Sequence, residues 1–196
     1  MRLWRELHGL ASVDFLRMVD FKQSYFELFG LPEHFDIDFS KLGSAFRDLQ
    51  AKYHPDRFIN ADDKERLVAV QTTGLINEAH ETLKSPRLRA RYLLKLNGVD
   101  FDDEIDTTSD GAFLMRQMEI REAIEDVTSA EDPLARIDDI AQEISGEADA
   151  LKDDFIDQLE AGNLEAAKEA VLKMKFFERL CQESKSITEK LEDDLI

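Results

Sequence analysis

Among the side chains able to do chemistry, one short run stands apart: His54-Pro55-Asp56, an imidazole and a carboxylate flanking a proline. Pro55 fixes its own φ, lacks a backbone donor and forces His54 toward extended backbone. The tripeptide is therefore stiff. It presents His54 and Asp56 outward, beside the basic Arg47, Lys52 and Arg57. Asp56 suits a charge-assisted bond from an arginine on a partner. The plain alternative is an ordinary turn that ends a helix. Catalysis does not fit, because neither a nucleophile motif nor a glycine-rich phosphate cradle accompanies the run. His8, His34 and His80 are scattered. His80 has Glu78 and Glu81 as neighbours, which is not the i, i+3 or i+4 spacing of a helical metal pair, and it reads as a packed boundary residue. The single cysteine, Cys181, excludes an internal disulfide and an all-cysteine metal site. It falls on a predicted buried stripe and reads as core. The chain thus reads as a non-enzyme with no cofactor and no metal of its own.

The elements that must position the tripeptide are helical. Tyr25-Phe26-Glu27-Leu28-Phe29 is a short apolar turn closed by Gly30 and Pro32. Ser40 is expected to cap a helix in which Leu42, Ala45, Phe46, Leu49 and Tyr53 form one apolar stripe, with Arg47 and Lys52 on the outside. A second long helix is predicted over roughly 62–84, with Ile76, Ala79, His80 and Leu83 inward. Ser85-Pro86 then reads as an N-cap followed by a first-turn proline, and Gly98 as the residue that closes that last short helix. The result is an antiparallel helical hairpin with two short helices over residues 24–98.

Residues 99–108 are acidic and aperiodic and read as a linker. Three further helices are expected over 109–196. The first spans 109–128, starting near Ser109 or Asp110. The second begins at Pro133 with Ile137, Ile140, Ile144, Ala148, Leu151, Phe155 and Leu159 inward. Gly162-Asn163 makes the turn. The third carries Leu164, Ala167, Val171, Met174, Phe177, Cys181, Thr188 and Leu191 along its seam. The fold class is therefore all-α: a hairpin module followed by a three-helix bundle. Residues 1–23 read as an extension, with Met18 an alternative start.

With 196 residues the chain has room for one or two small domains. Its net charge is −18, but the distribution is uneven. Residues 24–97 carry 11 basic and 11 acidic side chains, whereas residues 98–196 carry 10 and 29. Such acidity argues against nucleic acid and against an anionic membrane surface as partners. No apolar run is long enough to span a bilayer, no secretory signal is evident, and cysteine pairs are absent, so the cytoplasm is the expected compartment. A neutral module with a basic helix, joined to an acidic one, suggests two different protein partners.

The helix over 109–128 carries two separable lines. Phe113, Ile120, Ile124 and Val127 are expected to pack inward. Met115, Glu119, Glu122 and Asp126 follow another line, with Leu114 and Met118 beside them. An apolar patch edged by carboxylates would suit a basic, partly apolar partner, and methionines adapt well to one. A wide core face is the alternative, and periodicity does not separate the two.

Tyr25-Phe26, the basic helix, Tyr53-His54-Pro55-Asp56-Arg57, Ile76-Asn77-Glu78-Ala79 and Thr82-Leu83-Lys84-Ser85-Pro86 together resemble a J-domain. Three further runs, Phe29-Gly30-Leu31-Pro32, Arg89-Ala90-Arg91-Tyr92-Leu93-Leu94-Lys95-Leu96-Asn97-Gly98 and Ala112-Phe113-Leu114-Met115-Arg116-Gln117-Met118-Glu119-Ile120-Arg121-Glu122, resemble the iron–sulfur co-chaperone family HscB. The absence of an N-terminal cysteine motif makes the chain similar to the bacterial branch. The resemblance implies a partner ATPase of the DnaK/HscA type, engaged through His54, Pro55 and Asp56 with Arg47, Lys52 and Arg57. It also implies an IscU-type scaffold as second partner, bound by Leu114, Met115, Met118, Glu119, Glu122 and Asp126, with Phe176 on the last helix. Met118, Asp126 and Arg116 depart from the leucine, glutamate and acidic residue common in that family. A J-protein whose bundle binds other clients, and a purely structural helical adaptor, are the competing expectations.

Overall fold

The structure, a computed structural model, describes residues 23–102 and 105–193. The expected extension lies outside the described residues up to position 22, as do Asp103 and Glu104 of the expected linker. The described residues form helices and irregular segments with no strand, in agreement with the all-α expectation. Two compact units divide between Arg89 and Ala90.

In the first unit α1 (Tyr25–Leu28) is set by a capping box. The Glu27 amide donates to Ser24 Oγ at 3.2 Å, and the Ser24 amide donates to Glu27 Oε2 at 2.8 Å. This satisfies two otherwise orphaned donors. Helix α2 (Phe39–Tyr53) buries Leu42 and Tyr53. Its cap is Asp38 and not Ser40: Asp38 Oδ1 accepts from the amides of both Ser40 and Lys41 at 3.0 Å. One carboxylate oxygen serving two donors, with its charge at the positive end of the helix, outcompetes a hydroxyl two residues later. Asp38→Ala is expected to destabilise the unit by about 1 kcal/mol. Ser40→Ala should stay within about 0.5 kcal/mol of the parent. Urea unfolding of the two variants checks this.

A 3₁₀ turn, Pro55–Phe58, leads to α3 (Asp63–Lys84), capped by Asp62, whose Oδ1 accepts from the Glu65 amide at 2.8 Å. Ala69, Thr72, Ile76, Ala79 and Leu83 are its buried face. His80 stacks on Phe46 at 3.9 Å between centroids and meets Phe29 edge-on, the packed boundary position expected of it. Helix α4 (Pro86–Leu96) starts as read, with Ser85 Oγ accepting from the Leu88 amide at 3.2 Å. Arg89, at the boundary of the units, is buried. It donates to the Leu83 carbonyl and stacks over Phe35 and Phe39. Burial lowers its pKa from the ordinary guanidinium value, and the nearby Asp36 charge opposes that shift.

In the second unit Ala90, Leu93 and Leu94 of α4 are buried, and Gly98 leaves the helix at φ 84°. The described residues of the segment read as a linker are irregular but tied down. Phe101 is buried under Arg91 and Lys168, Asp106 accepts from Lys168 Nζ at 3.0 Å, and Thr108 Oγ1 donates to Glu169. Helices α5 (Gly111–Glu125), α6 (Pro133–Glu160) and α7 (Leu164–Asp193) form the bundle. Its core joins Ile120, Ile124 and Val127 to Ile137, Ile140, Ile144, Phe177 and Leu180. Asp132 caps α6 ahead of Pro133, and Gly162 at φ 74° turns the chain between α6 and α7.

Two expectations are corrected in this unit. Helix α5 ends at Glu125, and a 3₁₀ turn over Asp126–Ser129 completes the expected span. Cys181 is exposed rather than core, because the buried line of α7 runs Phe177, Leu180, Ser184 and passes beside it.

Candidate functional site

The tripeptide sits at the end of α2. His54 has φ −55° and ψ 129°, the extended backbone that a following proline enforces. Its Nδ1 accepts from the Asp56 amide at 3.3 Å. This bond assigns the proton of the neutral ring to Nε2, which is then a donor. Asp56 Oδ2 lies 3.6 Å from His54 Nδ1, and both side chains are largely exposed. The turn thus offers a donor and an acceptor side by side on rigid backbone. With neither burial nor a nucleophile, this geometry suits recognition and not proton transfer.

Three anchors fix the turn. Arg57 Nη1 donates to the Ala51 carbonyl at 2.8 Å, placing a cation at the negative end of α2. Thr73 Oγ1 of α3 donates to the Tyr53 carbonyl at 2.9 Å. The Gln50 side chain of α2 donates to Asn77 Oδ1 of α3. Arg47 and Lys52 are exposed on the outer face of α2, Lys52 with its ammonium 5.2 Å from the Tyr53 ring centroid.

The second constellation lies on α5. Phe113, Ile120 and Ile124 turn inward, while Met115 and Met118 are 66% and 63% exposed. For these two residues the wide-core alternative is thereby excluded. Leu114 is half-buried beside them, and Glu119 and Glu122 are exposed. Asp126 lies just past the helix end, yet it lines an open groove of about 600 Å³ with Glu119, Glu122, Ala123, Ser129 and Arg136. Phe177 is buried, whereas Phe176 is half-buried and meets Phe113 edge-to-face at 5.6 Å. The structure therefore links Phe176 to the start of α5 through Phe113.

Arg116 does not project its charge over this patch. Its Nε donates to Glu147 at 2.9 Å and its Nη1 to Glu119 at 3.2 Å, while Nη2 pairs with Glu143. Glu147 above all, then Glu119 and Glu143, raise its pKa against the opposing effect of desolvation. The guanidinium fastens α5 to α6 and leaves the methionines uncovered. At the helix start, Asp110 caps the Phe113 amide and accepts from Lys173 Nζ at 2.8 Å. The lysine bond, then the amide, hold its carboxyl below the usual carboxylate range. Among the described residues no group of His, Cys, Asp and Glu is arranged to hold a metal ion. Nor is any helix among them long and apolar enough to cross a membrane.

Sequence reasoning missed the Thr73 anchor and the three-carboxylate setting of Arg116. Glu119 at i+3 was a visible signal for part of the latter. Glu143 and Glu147 belong to another helix, and no spacing rule in one segment reaches them.

Comparison with known proteins covers both units. Residues 24–92 match the DnaJ domain family, and residues 109–185 match the family described as the HSCB C-terminal oligomerisation domain. A co-chaperone protein HscB homolog from Aeromonas salmonicida is 43% identical over 172 residues, spanning 88% of this chain and 98% of that protein. The structure of chaperone HscB from Vibrio cholerae superposes with a TM-score of 0.78 at 40% identity, covering 89% of this chain and all of that one. Human co-chaperone HscB gives a TM-score of 0.75 at 30% identity, covering 85% and 83% of the two chains.

Proposed function

The chain belongs to the HscB family of J-domain co-chaperones, and from that premise we propose that it couples an ATPase chaperone of the DnaK/HscA type to an IscU-type iron–sulfur scaffold. The observation that carries the reading is the presence of two exposed surfaces of different character, one in each unit. The rigid His54-Pro55-Asp56 turn, beside the basic face of α2, is the ATPase-binding surface. Arg47, Lys52 and Arg57 steer it toward an acidic patch, a long-range and salt-sensitive effect. Leu114, Met115, Met118 and Phe176, edged by Glu119, Glu122 and Asp126, are the scaffold-binding surface. Exposed methionines and a half-buried aromatic supply adaptable apolar area, and the carboxylates select a basic partner.

In this reading the functional modules are 24–98 and 109–196, with 99–108 between them. The chain performs no catalysis itself. The hydrolytic chemistry belongs to the ATPase, and the cluster belongs to the scaffold as cargo. A single cysteine suits the reducing cytoplasm as the place of action.

Calorimetric titration of the chain with the scaffold, and separately with the ATP-bound chaperone, tests the pairing. Saturable binding to each is expected. Binding to unfolded polypeptides with none to the folded scaffold would replace this reading with that of a general J-protein.

A further inference from the structure

The surface assigned above to the scaffold is drawn from two helices, with Leu114, Met115 and Met118 on α5 and Phe176 on α7. The first turn of α5 is tied to α7 by a cation. Lys173 stands one turn before Phe176, an i, i+3 neighbour on the same side of α7. Its ammonium donates to Asp110 Oδ2 at 2.8 Å, and Oδ1 of the same carboxylate accepts from the Phe113 amide at 3.1 Å. Glu169, which accepts from Thr108, lies 3.9 Å from that ammonium on its other side. The Lys173 side chain is 19% exposed, and its ammonium stands over the Phe113 ring, 5.4 Å from the centroid.

Phe113 is the ring on which Phe176 rests. The two meet edge-on at 5.6 Å and 83°, and Phe113 meets Phe177 at 5.8 Å. Packing alone does not hold Phe113 in place. An open groove of about 340 Å³ runs beside it, with Leu151 and Phe177 among its apolar walls and Asp110, Glu147 and Lys173 at its polar edge. An apolar cavity of about 150 Å³ already accommodates a benzene ring, so the groove has room for the Phe113 ring. What opposes that movement is the cation, which attracts the ring face while its bond to Asp110 fixes where the cation stands.

We propose that Lys173 is a positioning residue for the scaffold-binding surface: paired with Asp110, it holds Phe113 out of the groove and so presets the orientation of Phe176. The inference rests on the reading of Leu114, Met115, Met118 and Phe176 as that surface. With an apolar side chain at position 173, Asp110 still caps α5 through Oδ1, but the Phe113 ring loses its cation and turns toward the groove. Phe176 then loses the edge against which it is held. Ordering it falls on the binding step, and affinity drops by that entropy. Lys173 touches neither partner in this account. It acts through Phe113 and Phe176, which makes its effect separable from that of the methionines.

The test is calorimetric titration of the full chain with the folded scaffold. Lys173→Met, which keeps an unbranched apolar stem, is expected to raise Kd about fivefold. Lys173→Arg keeps the charge and should stay within about twofold of the parent. Asp110→Asn keeps a good capping oxygen but loses the charge pair, and should raise Kd about threefold. The discriminating readout is non-additivity. Lys173→Met should have no further effect in a Phe176→Ala background and its full effect in a Met118→Ala background. Lys185→Met, which removes a lysine from an exposed pair with Glu189 on the same helix, should leave Kd unchanged. Circular dichroism checks that each variant folds. A Kd within about twofold of the parent for both Lys173→Met and Asp110→Asn would overturn the inference and leave the proposed function standing. A Lys173→Met effect of equal size with and without Phe176 would overturn it as well, since that marks a general loosening of the bundle. Failure of the unsubstituted chain to bind the scaffold overturns both.

Discussion

Replacing His54 with glutamine, or Asp56 with alanine, is expected to abolish stimulation of the chaperone's ATPase while binding of the scaffold is retained. The effect is expected to be near-complete because the two side chains act as one unit. His54 Nδ1 holds the Asp56 amide, which fixes the turn and keeps the imidazole and the carboxylate side by side. Asp56→Ala removes an acceptor suited to a partner's guanidinium, and the unpaired donor on the other side then carries the penalty. His54→Gln keeps polarity but loses the ring that spans the turn. Both residues are exposed, so the fold is expected to survive either change. Scaffold binding by calorimetry is the internal control. Loss of both activities in one variant would indicate misfolding and would remove support for separable surfaces.

Joint replacement of Leu114, Met118 and Phe176 by alanine is expected to weaken scaffold binding by at least about 2 kcal/mol, roughly thirtyfold, while ATPase stimulation by the chain alone is unchanged. The three residues differ in standing. Met118 is mostly exposed and contributes area directly. Leu114 and Phe176 are half-buried, and Phe176 rests edge-on against Phe113, so each offers a preset apolar surface. Preorganised groups lose less entropy on binding than free ones do. Glu119 is held by Arg116, which pairs with Glu143 and Glu147 as well, so the departure at position 116 adds little free positive charge to the patch. An unchanged affinity would refute the assignment of this surface to the scaffold.

The features legible in the sequence were those set by local chemistry. Pro55 dictates the backbone of His54, and the period of Leu42, Ala45, Phe46, Leu49 and Tyr53 dictates the inner face of α2. Both features are present in the fold. The separation of two lines on α5 was also readable, although only the packing of the bundle decided that Met115 and Met118 face outward.

What escaped depended on competition between near-equivalent groups or on partners distant in sequence. Asp38 and Ser40 are both good caps, and the carboxylate prevailed by taking two amides. Cys181 was placed in the core by a step of four from Phe177. Leu180, a step of three from the same residue, fills that space. The acidic segment after Gly98 read as a linker because it lacks periodicity and its partners, Lys168 and Glu169, lie some sixty residues further along the chain.

The central claim is that one chain brings scaffold and ATPase together through two surfaces. Single-turnover hydrolysis of ATP by the chaperone measures this most directly, with the scaffold and the chain added separately and then together. Linking two contacts raises the effective concentration of the client at the ATPase without any new contact. The rate with both present is therefore expected to exceed the sum of the two separate effects at scaffold concentrations too low to act alone, and the excess should vanish with the Leu114, Met118 and Phe176 alanine variant. A combined rate no greater than that with the chain alone would contradict the coupling.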